Sequence, residues 1–262
     1  MIVANNNSQK FSLKSFLAIW AILTAIGIWI SIKGTPWLMM KSASHQMHTA
    51  ILTVIVFSVA AAPVAAGIYA VQIYALAKWR YKGEGVPPDA EPLRNNVKAV
   101  SAWIGVSALL TTLLLIWGLA ALASDENVSG PRPMTVNVTG QQWLWSFQYP
   151  IAQTLLHHNV ESNVLEIPLN NQANFNITSV DVTHGFWVPS LGVKVDANPG
   201  AITTLSVIPN KLGVYDIRCV ELCGLNHSAM ITKAYVVTEK QFLTWLKAQP
   251  ASQPVATATV KN

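Results

Sequence analysis

Apolar positions fall into two regimes along this chain. In the first half they form three uncharged runs, 15–32, 42–77 and 99–124, each close to or above the about 20 residues a helix needs to cross the hydrocarbon of a bilayer. In the second half they alternate. Met134, Val136 and Val138 fall on one side and Thr135, Asn137 and Thr139 on the other, the period of a half-buried strand. Further strand-like runs cover 162–169, 174–182, 201–208, 213–219 and 231–237, separated by Asn170-Asn171, Pro199-Gly200 and Pro209-Asn210, which are turn dipeptides. Thr238 followed by Gln241 reads as a capping box opening a short helix, with Phe242, Trp245 and Leu246 on its apolar face. The pattern predicts a membrane arm over 1–124, with helices at about 15–32, 49–77 and 99–124. An all-β sandwich or Greek-key barrel head over 125–248 and a loose Ala/Pro/Ser/Thr-rich tail over 249–262 follow.

Composition supports the arm and removes one partner class. The chain is 52% hydrophobic and 11% charged, whereas ordinary soluble domains are about a quarter charged. The net charge of +5 is uneven: up to Ser124 there are nine Lys/Arg against three acids, and beyond it eight against nine. The basic excess therefore flanks the apolar runs, where anionic lipid and the positive-inside bias account for it, and nucleic acid is not an expected partner. Lys78, Arg80, Lys82, Arg94 and Lys98 lie between the second and third runs. A single Lys or Arg at mid-bilayer costs about 2.5–3.5 kcal/mol, so this loop belongs outside the hydrocarbon, on the cytoplasmic side, and the head on the outer face. The first run has a second reading. Lys10 and Lys14 before it and Ser42-Ala43-Ser44 after it resemble a signal peptide with a small-residue cleavage site. Its length, and the distance from its end to Ser44, favour a retained helix.

The chemistry concentrates between Cys219 and Met230, where two thiols, Glu221, the imidazole of His227 and a thioether share one loop after a strand-like run. Thiolate and thioether are soft donors that favour copper, and imidazole serves copper or zinc. A further strong ligand must come from elsewhere. His184 lies in a second loop, 181–187, which a sandwich can bring to the same end. A Cys219–Cys223 disulfide is allowed in an outer compartment but leaves His227 and Met230 idle. A structural zinc site of two Cys and two His uses the same residues, with Met230 weighing against it. A mononuclear blue-copper site needs only one Cys, and two bridging thiolates suggest two metals. His157, His158, His45 and His48 have no thiolate or carboxylate at ligand spacing and read as solvated histidines.

With those residues in view, the loop resembles the copper A motif of cytochrome c oxidase subunit II. The resemblance runs from about residue 49 to 245 and includes the helix pair, the aromatic run Gly140-Gln141-Gln142-Trp143-Leu144-Trp145-Ser146-Phe147, the His184 loop continuing through Pro189-Ser190-Leu191-Gly192 to Asp196, and the ligand loop. It implies a cupredoxin-like head and a binuclear copper A centre. In that centre Cys219 and Cys223 bridge both coppers, His184 and Met230 complete one, and His227 with the backbone carbonyl of Glu221 completes the other. It further implies that the Glu221 side chain helps hold magnesium at the boundary with subunit I, and that the donor's electron arrives through Trp143. Asp181 is either a group that orients His184 or a plain surface carboxylate, and Trp145 and Trp187 read as packing residues. No Cys-x-x-Cys-His run is present, so no haem is expected on this chain.

The implied function is electron uptake for an aa3-type haem-copper oxidase of a bacterial or archaeal plasma membrane, with the head on the periplasmic face. Electrons would come from a cytochrome c or a small copper protein. They would pass to haem in subunit I, where oxygen is reduced to water and protons are pumped, with membrane lipid and other oxidase subunits as neighbours. Other readings are a quinol oxidase, whose subunit normally loses the copper ligands, a copper A nitric oxide reductase, and a membrane-tethered copper-delivery protein with a labile mononuclear site. Three departures from the family pattern matter. Residues 149–156 carry no carboxylate where many relatives have an acidic donor-docking stretch, which points to an apolar donor contact with weak salt dependence and to an acidic outer medium. Val100 stands where a Glu often precedes the tryptophan matched by Trp103, so no proton-uptake role is expected for this subunit. Gly185 stands where Ser is frequent.

Overall fold

A computed structural model describes residues 12–78, 96–126 and 129–252. The loop cations Arg80, Lys82 and Arg94 and most of the expected tail lie outside these residues. The chain divides into two compact units, Met1–Met39 with Leu52–Ala120 and Met40–Ile51 with Ala121–Asn262.

Three helices, α1 (Leu13–Leu38), α2 (His45–Lys78) and α3 (Val97–Glu126), are long and apolar enough to cross a membrane. Within the first unit, α1 meets α2 along small residues, as helices do where lipid removes the hydrophobic drive between them. A Cβ added at Gly27 would lie 3.1 Å from Ala62 Cβ, and the Trp20 indole donates to the Pro63 carbonyl at 2.8 Å. α1 outruns the apolar stretch 15–32 because Pro36 is tolerated in its last turns, and it ends where Met39 N–H bonds Thr35 O at 2.9 Å. α2 begins before residue 49 because the Ser44 hydroxyl accepts the Met47 N–H at 3.0 Å, a side-chain cap on the first turn.

The second unit is a sandwich. Its strands are β1 (Met134–Gln141), β2 (Leu144–Gln148), β3 (Glu161–Ser162), β4 (Leu165–Pro168), β5 (Ala173–Ser179), β6 (His184–Val188), β7 (Val193–Ala197), β8 (Thr203–Val207), β9 (Gly213–Cys219) and β10 (Ile231–Val237). They form two five-stranded sheets, β3-β2-β1-β5-β8 and β4-β10-β9-β6-β7. β1–β5 and β4–β10 are parallel and the other pairs antiparallel, so the cupredoxin-like two-sheet head expected from the sequence is present. Alternation on β1 turns Met134, Val136 and Val138 inward, and β5 does the same with Ala173, Phe175 and Ile177. A short helix α4 (Pro150–Leu156) follows β2, and α5 (Glu239–Ala248) opens on the expected capping box and buries Phe242 and Leu246.

The run 162–169 divides between the two sheets because Ser162 Oγ accepts the Val164 N–H at 3.1 Å and turns the chain. The aromatic run 144–148 and the segments 184–188 and 193–197 are also strands: β2 and β7 alternate apolar and polar residues over 145–148 and 193–197, whereas β6 shows no alternation because it is buried on both faces apart from Trp187. Residues 43–44 are also woven into the head. Ala43 N–H donates to Ser190 O and Asn210 N–H to Ala43 O, both at 2.8 Å, and Ser44 Oγ donates to Leu191 O at 2.6 Å. Of the small residues that resemble a cleavage site, Ala43 and Ser44 are therefore buried in the head.

Candidate metal centre

Two strand ends and one long connection build the site. β9 delivers Cys219 as its last residue, and Cys219 N–H donates to Met230 O at 3.1 Å where β10 begins, so the ligand loop leaves and rejoins one hairpin. A single 3-10 turn over His227–Ala229 brings His227 back beneath the cysteines. His184 comes from the neighbouring strand: it opens β6, fully buried, rather than lying in a loop. Its ring is fixed by an aromatic cluster in which Trp145 packs edge-on at 5.9 Å from His184 and 5.2 Å from Phe186. Gly185 lets β6 approach the ligand loop. A Cβ there would lie 2.8 Å from both Glu221 N and Val220 Cγ2, so the glycine found in place of the frequent Ser is fitted to tight packing.

The donor atoms converge. Cys219 Sγ lies 3.9 Å from His184 Nδ1, 3.3 Å from the Glu221 carbonyl oxygen and 3.6 Å from Cys223 Sγ. Cys223 Sγ in turn lies 3.5 Å from His227 Nδ1 and 3.9 Å from Met230 Sδ. His184, Cys219 and Cys223 offer ligand atoms within 4.8 Å of one another and are all buried. Both cysteines are free, and their sulfurs are well beyond the about 2.05 Å of a disulfide. The Glu221 side chain is exposed and takes no part in this cluster. Two soft sulfurs flanked by two imidazole Nδ1 atoms, a thioether and a carbonyl fit a soft metal centre.

The surroundings prepare the ligands. Asp181 Oδ1 holds His184 Nε2 at 2.9 Å, which leaves Nδ1 facing the sulfurs, so Asp181 orients the His184 ring rather than decorating the surface. Partial burial pushes against the Asp181 charge, but bonds from Gln142 N–H, the His184 ring, Val182 N–H and Ser179 outweigh it and bring the carboxyl down to about 2. Burial, and then the adjacent Cys219 thiol, push the Cys223 thiol up to about 11, so a metal must displace protons on binding. Trp143 Nε1 donates to the Cys223 carbonyl at 3.2 Å, putting this half-buried indole one hydrogen bond from the sulfur cluster. Gln142 and Ser179, which brace Asp181, carried no signal in the sequence beyond their nearness to Trp143 and Asp181. His157 is exposed, and His158 Nδ1 sits 3.1 Å from Leu156 O. Neither belongs to a metal-ligand grouping among the described residues.

A two-sheet head that gathers two thiols, two imidazoles and a thioether, on a chain with membrane-length helices, defines a membrane-anchored soft-metal protein. The family model for the periplasmic domain of cytochrome c oxidase subunit II matches residues 151–237. Cytochrome c oxidase subunit 2 of Wickerhamomyces canadensis is 32% identical over 169 residues, covering 56% of this chain and 68% of that protein. The Thermostichus vulcanus protein of the same name is 37% identical over 140 residues, covering 53% of this chain and 40% of that one. Among solved structures, the periplasmic domain of subunit II of cytochrome oxidase from Bradyrhizobium japonicum is 29% identical, covers 47% of this chain and 95% of that chain, and superposes with a TM-score of 0.42. The chain belongs to the cytochrome c oxidase subunit 2 family, and is thereby a subunit of a haem-copper oxidoreductase complex.

Proposed function

We propose that this subunit takes up single electrons on the outer face of the membrane at a binuclear copper A centre held by His184, Cys219, the Glu221 carbonyl, Cys223, His227 and Met230. The observation that carries the reading is the pair of buried free sulfurs 3.6 Å apart with different flanking donors on each side, since a mononuclear blue-copper site needs only one Cys and the Met230 thioether beside the second weighs against zinc. Bound there, a copper pair supplies one-electron redox chemistry with little change of ligand positions. The chain's own residues do the rest. Asp181 fixes the His184 ring, and the aromatic cluster around Phe186 keeps β6 from shifting. Trp143 receives the donor's electron beside Cys223. The exposed Glu221 carboxylate is free to hold magnesium against subunit I, to whose haem the electron passes for reduction of oxygen and proton pumping, as in an aa3-type enzyme. The donor is a cytochrome c or a small copper protein meeting an apolar surface: residues 149–156 carry no carboxylate, while Leu222 and Leu225 on the ligand loop are 80% and 89% exposed. X-ray absorption of the copper-loaded chain tests the centre. Copper–sulfur scattering together with a short copper–copper path is expected, and a single copper without metal–metal scattering would favour a copper-delivery role instead.

A further inference from the structure

One residue touches both halves of the metal centre without being a ligand. Gln142 lies between β1 and β2, and its backbone N–H donates to Asp181 Oδ2 at 2.7 Å, the carboxylate whose other oxygen holds His184. Its side chain reaches the opposite way, Nε2 donating to the Cys223 carbonyl at 2.7 Å. The same carbonyl accepts the Trp143 indole N–H at 3.2 Å. A carbonyl oxygen offers two lone pairs, and these donors from adjacent residues use both.

The peptide that carries this carbonyl is not held by its own backbone. It precedes Gly224, whose φ is +112°, a region that glycine enters with little steric cost. Side-chain hydrogen bonds therefore decide where the carbonyl points. A Cβ on residue 224 would lie 2.9 Å from Gln142 Nε2 and 3.4 Å from Trp143 Cζ2, so those two side chains fill the space the glycine leaves. Gln142 itself is exposed, and replacing it removes no core packing.

We propose that Gln142 is a positioning residue for electron uptake, its side-chain amide locking the Cys223 carbonyl so that the Trp143 indole stays hydrogen-bonded to the ligand loop. The proposal rests on the reading of Trp143 and the copper centre given above. Without the amide, the carbonyl keeps only the longer of its two bonds and is free to turn away from the indole.

The test uses the complete purified oxidase, as wild type, Gln142→Leu and Gln142→Lys. Copper content is measured first. The ultraviolet resonance Raman band of the Trp143 indole N–H, assigned by difference from Trp143→Phe, and the rate of copper reduction by photoexcited tris(bipyridine)ruthenium(II) follow. Gln142→Leu should keep wild-type copper, shift the indole band toward that of an unbonded N–H, and slow reduction about tenfold or more, within the range that a misplacement of about 1 Å produces. Gln142→Lys restores an N–H donor of similar reach and should recover both signals. An unchanged band and rate in Gln142→Leu would overturn the proposal and leave the copper reading intact. Copper loss in both variants would also overturn it, by showing that Gln142 holds the metal rather than aligns the indole. A wild-type protein without a copper pair would overturn the reading beneath it.

Discussion

Glu166 gives the head a stability that increases in acid. It lies on β4, 8% exposed, where the Tyr149 hydroxyl closes the strand edge by accepting Glu166 N–H at 2.7 Å and donating to Glu166 O at 3.1 Å. Burial raises its carboxyl from 4.5 to about 7. The folded chain thus holds this proton more tightly than the unfolded chain does. The stability gained is fully present below about pH 4.5 and is lost as pH rises through about 7. At about 1.4 kcal/mol per tenfold change in proton affinity, the ceiling is about 3 kcal/mol; water reaching one side of the carboxyl leaves about 1–2 kcal/mol as the expected size. Glu166→Gln keeps the shape and removes the charge. Thermal unfolding of the purified chain in detergent should show the variant more stable than wild type by that amount at about pH 8, and equal to it at about pH 4. Parallel pH profiles for the two proteins would refute the assignment. The same measurement bears on the acidic medium expected from the sparse surface carboxylates. Asp181, held near 2, keeps its bonds until pH falls through that value, so cooperative loss of the head near pH 4–5 would contradict that expectation.

Asp181→Ala should leave the fold intact and weaken copper retention about 10–100-fold, as loss of a group that orients a ligand imidazole does, measured by competition with a chelator. Thr238→Ala should cost about 1 kcal/mol in denaturant unfolding by removing the capping box of α5. Reduction of the oxidase by its donor should change little between low and high salt; a steep fall would show that docking depends on opposite charges. His157→Ala and His158→Ala should leave copper content unchanged by metal analysis.

Much of this architecture is legible before any coordinates, and the gaps have physical reasons. β1 and α5 announce themselves through alternation and capping, which are local signals. β6 does not, because a strand covered on both faces has no alternating pattern, and His184 therefore reads as a loop residue although it opens a buried strand. Cys219, Cys223, His227 and Met230 stand out as a donor set because soft donors at close spacing have few other uses, while His184 and the Glu221 carbonyl join them only through the family resemblance. The bracing of those ligands is not, because Gln142, Ser179 and Gly185 act through backbone approach and hydrogen bonds between segments distant in sequence. Asp181 stands between these cases: its i,i+3 spacing to His184 is visible, but only the 2.9 Å contact separates an orienting carboxylate from a surface one.

In the proposed centre the two free cysteines bridge a pair of coppers sharing one unpaired electron. Electron paramagnetic resonance of the copper-loaded chain, with copper and protein quantified on the same sample, addresses it directly. Two coppers per chain and a seven-line hyperfine pattern are the predicted result. One copper per chain with a four-line pattern, or a silent and easily removed Cu(I), would contradict it.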